Sequence, residues 1–366
     1  MNDTDLKNFI KHYNQLTQQK KNKIIVVIVG GVVEKTKIQQ DYKNHSQIYD
    51  HSIASEFYNM EDITQMRSAF EYIGIETLTY YEENEFIQAY FDDLISKNKT
   101  PIVLHFSPNG IYTGRHSLIY AFCEKNNILH TGSNPYLCSL ARDKYAWYKF
   151  LKDTGIRLPK SFCYDSNIGW IDNSPSIGTK IICKLTHEAS GIGLGNSNVF
   201  EYSPEMDEYI KQLSLDYKQR IIVQKFIFGI EIEVPVLSNK TKFVATHPVW
   251  MKDKDNEKMN DRILNHTIRN SADYERVDYS TIHRNLAKEL QDTAITVAQK
   301  MGFLGLSRLD FRVNQNNKYY LTDLDALPHM NYVSTIVHSF GYLGLGEYHN
   351  LLGFIIGVVL ENSLEP

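Results

Sequence analysis

At 366 residues the chain has room for two or three domains of about 150 residues each, and a 42% hydrophobic share is ample for a packed core. The 22% charged residues exclude both a disordered tail and a membrane-embedded protein. With 39 Lys and Arg against 43 Asp and Glu, the net charge of −4 argues against a general nucleic-acid binder.

Cys123, Cys138, Cys163 and Cys183 form no C-x-x-C pair and fit a reduced protein better than a disulfide scaffold or zinc ribbon. Residues 1–5 lack the basic flank and apolar stretch of a signal peptide, and the longest apolar run, 351–360, is about half a membrane span. A soluble cytoplasmic protein is expected, with no membrane partner.

Leu6, Phe9, Ile10, Tyr13 and Leu16 recur at helical spacing and predict an amphipathic helix within residues 1–22. The β-branched run 24–29, stopped by Gly30-Gly31, reads as a strand buried on both faces, the mark of a parallel sheet. Residues 35–55 are polar and aperiodic, a loop or an insertion. A helix over 62–72 is ended by Gly74, and strands follow at 75–80 and 101–106 with helices between and after them. This alternation predicts an α/β first domain of roughly 110 to 130 residues.

The pattern changes near 129–132. A helix over 144–153 is ended by Gly155; strand, glycine-rich loop and strand occupy 180–200; and 221–237 reads as two strands around Gly229. Residues 251–275 are charged and aperiodic and predict a long loop, a feature more often functional than accidental in compact proteins. A helix over 282–301 precedes a hairpin of strands 308–313 and 319–324.

Four places could carry chemistry. Gly30-Gly31 lacks the rest of a G-x-G-x-x-G fingerprint, so it is either part of a substrate cleft or a plain tight turn. From Lys184 to Gly195 a lysine-bearing strand enters a loop with Ser190 and three alternating glycines, which is either a phosphate cradle or a hairpin turn. Asp323 and Asp325 share one strand face, and Asp310 on the partner strand can meet them. Three converging acids suit Mg²⁺ with nucleotide phosphates; the competing reading is a solvated acidic face. Gln224, Lys225, Phe226 and Ile227, with Glu231 beyond Gly229, could form a hinge that reads adenine and ribose, but the spacing by itself favours an ordinary hairpin.

Taken in order, these pieces resemble the D-alanine–D-alanine ligase family of ATP-grasp carboxylate–amine ligases. The matching stretches are 130–133 with Arg142-Asp143-Lys144; 184–193 against K-P-x-x-E-G-S-S-V-G; 223–234 against E-x-[FWY]-I-x-G-x-E-x-T-V; and 301–334 against G-x-x-R-x-D-F…E-x-N-x-x-P-G-M-T-x-x-S. The resemblance implies an ATP-grasp fold of α/β and α+β parts in three domains (1–130, 131–223 and 224–366), with ATP between the central and C-terminal ones. It implies a ligase joining an amino-acid carboxylate to an amine through an acyl phosphate. ATP would meet Lys144, Lys184, Gln224, Lys225, Phe226, Ile227 and Glu231. Asp310, Asp323 and Asp325 would hold two Mg²⁺ ions, with Mn²⁺ able to substitute. Arg308 would stabilise the tetrahedral intermediate beside Ser190 and His329, and Ser334 would meet the second substrate. Glu56, Glu61 and His105 are candidates for gripping the first. A homodimer acting on small amino acids or amines follows from the same resemblance.

The departures leave the ATP and metal half functional and rewrite the substrate half. Asp323-Leu324-Asp325 stands for E-x-N, Gln224 for a glutamate, His329 for an oxyanion glycine and Asn331 for a threonine, and the family's tyrosine-rich loop is not recognisable in 248–275. The His329 replacement and the missing loop make two D-alanines a poor substrate pair. The competing functions are a sensor or scaffold that has lost catalysis, and a kinase that leaves its product phosphorylated.

Overall fold

The computed structural model describes residues 2–35, 56–96, 98–110, 113–253, 263 and 274–364. Most of the 35–55 segment and the centre of the 251–275 segment lie outside them.

Three sheets organise the chain. In the first, β1 (Ile24–Val29) lies between β2 (Glu76–Tyr80) and β3 (Thr100–His105), with β4 (Leu129–His130) beyond β3, all parallel. Every residue of β1 is buried because both faces are covered. Ile24, Val26 and Ile28 join the cluster of α1 (Asp3–Lys20) and α2 (Met60–Ile73). Val27 and Val29 meet Phe86 of α3 (Glu83–Phe91) and Ile119 and Cys123 of α4 (Leu118–Lys125). A capping box between Asn59 and Asp62 starts α2, and Gly74 ends it in the left-handed conformation at φ 87°.

Two short helices, α5 (Pro135–Arg142) and α6 (Lys144–Leu151), lead to an antiparallel sheet. Its order is β6 (Gly169–Trp170), β5 (Ser161–Asp165), β9 (Ile221–Lys225), β7 (Lys180–Leu185) and β8 (Val199–Glu201), with Ile210 of α7 (Asp207–Tyr217) in its core.

The third sheet runs β13 (Tyr274–Asp278), β12 (Val249–Asp253), β10 (Ile230–Ser238), β14 (Gly305–Val313) and β15 (Tyr319–Asp325), with β11 (Phe243–Ala245) also on β10. Against it packs α8 (Arg284–Met301) through Leu286, Leu290, Ala294, Val297 and Met301, a stripe at helical spacing.

Two expectations are corrected. The strands around Gly229 form no hairpin, because β9 pairs with β5 and β7 while β10 pairs with β14 in another sheet. Gly229 is the crossing point, where an added Cβ would lie 2.0 Å from the Val313 carbonyl oxygen. The loop expected over 251–275 is strand at both described ends, since Met251 pairs with Arg276 and Asp253 with Tyr274.

After α9 (Thr335–Tyr342), the apolar run near the carboxyl end lies in α10 (Tyr348–Leu364), which returns to the first sheet and packs along α1. Contact is backbone-close. Thr17 Oγ1 donates to the Gly353 carbonyl at 2.6 Å, and a Cβ on Gly357 would stand 2.2 Å from the Tyr13 carbonyl oxygen. Gly357→Val is therefore expected to destabilise the fold by about 1–3 kcal/mol through overpacking, read as a lower urea midpoint. No helix among the described residues is long and apolar enough to cross a membrane.

Candidate active site

One cavity of about 810 Å³ lies between the second and third sheets and reaches the first, and all sixteen site residues expected above other than Glu61 line it, as does Glu61 itself. Gly30 and Gly31 do not. The Gly31 amide donates to the Ser107 carbonyl at 3.0 Å, and a Cβ on Gly30 would stand 2.0 Å from the Phe106 carbonyl oxygen, so the pair is a close-packed turn. The substrate-cleft reading of those glycines is thereby corrected.

The acidic wall follows from strand register. Asp310 of β14 lies opposite Glu233 of β10 on one side and Asp323 of β15 on the other, and Arg308 lies opposite Asp325. The Arg308 guanidinium makes a bidentate pair with Asp310, both bonds at 2.8 Å, and its Nε lies 3.4 Å from Glu233. Burial, with Glu233 and Asp323 nearby, pushes the Asp310 carboxyl up to about 7 despite Arg308. Asp323 moves the other way. Burial opposes its ionisation, but Lys144, at 2.8 and 3.0 Å, and Lys184 outweigh it and hold its pKa low. Asp325 accepts the Leu327 amide at 2.9 Å. Asp310 and Asp323 are ion-paired, Asp325 is hydrogen-bonded, and all three are at least partly buried, not a solvated face.

Among the described residues no group of three His, Cys, Asp or Glu could by itself hold a metal ion. Mg²⁺ does not require such a cage, since it usually binds through one or two carboxylates plus waters and substrate phosphates. An all-oxygen donor set with two opposed aspartates fits that habit.

The cationic wall comes from the second sheet and the helix before it. Lys144 opens α6 behind the N-cap Asp143, and its amide donates to the Thr186 carbonyl at 2.9 Å, which ties the helix start to the end of β7. Lys184 of β7 points Nζ at the Thr322 carbonyl, 3.4 Å away, and burial lowers its pKa. Ser190 and Gly191 follow in left-handed conformations at φ 54° and 75°. Deeper in, Gln224 donates to Ser161 Oγ at 3.0 Å, and the Arg312 guanidinium sits 4.9 Å from the Phe226 ring centre. Lys225, Ile227 and Glu231 complete that end.

At the first-sheet end, sequence reasoning missed much of the wiring. Glu56 is bound by Arg115 at 2.6 Å, by Arg142 and by the Ala189 amide at 2.9 Å, and Arg115 also reaches Glu188 at 3.0 Å. Burial opposes ionisation of Glu56, yet the two guanidiniums hold its pKa at about 2. His105 lies 3.5 Å from Glu83, itself fixed by Asn109, while His105 Nδ1 is buried without a hydrogen-bond partner. His329 stacks on Tyr58 with ring centres 5.1 Å apart, and the Tyr58 hydroxyl accepts the Met330 amide at 2.7 Å. Ser334 caps α9. No local signal marks Arg115, Glu83 or Tyr58, because their partners are distant in sequence.

Two antiparallel sheets closing lysines and a glycine-rich loop over an acidic hairpin define the ATP-grasp class of ligases. A family model described as D-ala D-ala ligase C-terminus matches residues 173–357, just over half of the chain, and the chain belongs to that family. It is 27% identical over 241 residues to the D-alanine--D-alanine ligase of Marinomonas sp. (strain MWYL1), covering 65% of this chain and 72% of that one. It is 23% identical over 292 residues to the enzyme of the same name from Thermotoga petrophila, covering 80% and 89%. The fold matches a crystal structure of D-alanine--D-alanine ligase from Bacillus anthracis complexed with ATP, with TM-score 0.63 and 16% identity over 94% of this chain and 99% of that chain.

Proposed function

We propose that the chain joins an amino-acid carboxylate to an amine at the expense of ATP. The observation that carries this is one cavity holding Lys144 and Lys184 on the second-sheet side and Asp310, Asp323, Asp325 and Arg308 on the third. Phosphoryl transfer is mostly positioning and charge neutralisation, and this arrangement supplies both. Lys144 and Lys184 would take the ATP phosphates, the Ser190 loop would cover them, and Gln224 to Ile227 with Glu231 would hold adenine and ribose. Mg²⁺ held by Asp310, Asp323 and Asp325 would neutralise phosphate charge; two ions are proposed, with Mn²⁺ able to substitute.

The γ-phosphoryl group passes to the carboxylate and ADP leaves. The amine then attacks the carbonyl carbon, loses a proton, and expels phosphate as the amide forms. Arg308, fixed by Asp310 and Glu233, would face the oxyanion of the tetrahedral stage. Ser334 would meet the carboxylate of the amine substrate, with Glu56, Glu61 and His105 toward the first substrate and His329 between the two. The three sheets support three units, with α10 folded back on the first, but β9 keeps Gln224 and Lys225 in the second sheet, so the division expected at 223 is better placed after β9. The homodimer is carried over from the family alone, whereas the cytoplasmic location rests also on the four scattered cysteines.

Phosphate release from ATP across pairs of amino acids and amines, with mass spectrometry of the product, tests the proposal. Pair-dependent phosphate and an amide product are expected. Nucleotide binding with no pair-dependent phosphate release would reject a ligase in favour of a sensor, and a stable phosphorylated product would point to a kinase.

A further inference from the structure

Exposed apolar side chains scattered singly on a protein are ordinary, but several gathered on one cavity rim mark a binding surface. Val33, Tyr332 and Val333 are 42%, 54% and 56% exposed and all line the cavity described above. They belong to one connected patch. The Val33 amide donates to the Tyr58 carbonyl at 2.9 Å; Tyr58 stacks on His329; and the Tyr58 hydroxyl, by accepting the Met330 amide, fixes the segment that carries Tyr332 and Val333. The Tyr332 ring also meets Tyr348 edge-on, with centres 6.5 Å apart. The floor is thus a rigid aromatic stack and the rim is apolar.

This patch lies at the opposite chemical extreme from the lysine and aspartate walls. It ends on Ser334, whose amide donates to the Asn331 carbonyl at 2.8 Å. We infer that the patch is the side-chain subsite for the amine substrate, and that this substrate is an amino acid with a large apolar or aromatic side chain rather than a methyl group. The inference rests on the ligase reading, in which Ser334 meets that substrate's carboxylate. A small side chain would leave Tyr332 and Val333 in water during the reaction, whereas a branched or aromatic one would cover them, and apolar pockets convert such size differences into discrimination of about tenfold or more.

The test uses the full chain with ATP, Mg²⁺ and a fixed first substrate, and compares alanine, leucine and phenylalanine as amines in both enantiomers. The expected result is a kcat/KM ratio of phenylalanine or leucine over alanine of at least about tenfold, falling by a similar factor in Tyr332→Ala or Val333→Ala. The ratio separates a subsite from a folding defect, since loss of folded enzyme lowers both terms alike. Phosphate release indifferent to side-chain size in the wild type, or a ratio unmoved by both variants, would overturn the inference and leave the ligase reading standing. No amine-dependent release with any pair would overturn both.

Discussion

Asp323→Asn is expected to lower ATP-dependent phosphate release by about 10³-fold while leaving the fold in place. The substitution keeps the size of the side chain and an oxygen acceptor but removes the charge. Asp323 carries an unusual share of the site's electrostatics, because Lys144 reaches both of its oxygens and Lys184 adds a second positive field. Without the charge, Lys144, only 7% exposed, loses its ion-pair partner, and the oxygen set available to Mg²⁺ and the phosphates loses one of two opposed carboxylates. Unfolding must be separated from lost chemistry, so the urea midpoint is measured alongside turnover. Turnover within about threefold of wild type would remove Asp323 from the reaction, since even a single lost stabilising donor in an active site usually costs far more.

Arg115→Met is the second large effect, and here stability leads. Arg115 is shared by Glu56 at 2.6 Å and Glu188 at 3.0 Å, and both acids are buried. Removing one partner from a buried ion pair costs about 3–5 kcal/mol, because the charge left behind is unpaired away from water. Arg142 still serves Glu56, which places the expected loss at the lower end. A pH signature accompanies it. Glu56 has a folded pKa of about 2 against an ordinary 4.5, so its stabilising contribution is full above 4.5 and is lost as pH falls from 4.5 toward 2, where the unfolded chain takes up the proton first. With Arg115 gone the folded pKa rises, and the midpoint falls by less over that same acid window. Equal acid sensitivity in wild type and variant would show that the cluster does not govern acid stability. Because Ala189 donates to Glu56, the same substitution also loosens the Ser190 loop from the Glu56 cluster.

Local patterns made much of this legible. The β-branched run of β1, the left-handed glycine after α2 and the alternating acids of β15 each need only a few neighbouring residues to be understood. The short hairpin across 314–317, where Asn317 takes φ 56°, pairs Phe311 with Leu321, but Asp310 meets Asp323 only because the register shifts between Asp310 and Phe311 and skips Thr322, a bulge that no local pattern announces. What stayed hidden depends on contacts between distant segments. Nothing within 221–237 says that β9 and β10 part company, because that is decided by β14, whose Val313 backbone leaves no room beside Gly229 for a side chain. Arg115 lies 59 and 73 residues from the acids it binds, and Lys144 is 179 residues from Asp323. Similarly, the apolar run of α10 is uninterpretable until α1 is seen beneath it.

The ligase reading requires that an amino-acid carboxylate be activated as an acyl phosphate in the cavity between the second and third sheets. The most direct measurement labels that carboxylate with heavy oxygen and follows the label through one round of amide formation. An acyl phosphate must deliver one labelled oxygen to the phosphate released, because the carbon–oxygen bond breaks when the amine displaces phosphate. Inorganic phosphate carrying one heavy oxygen per amide formed is the predicted result; amide formed alongside unlabelled phosphate would contradict it.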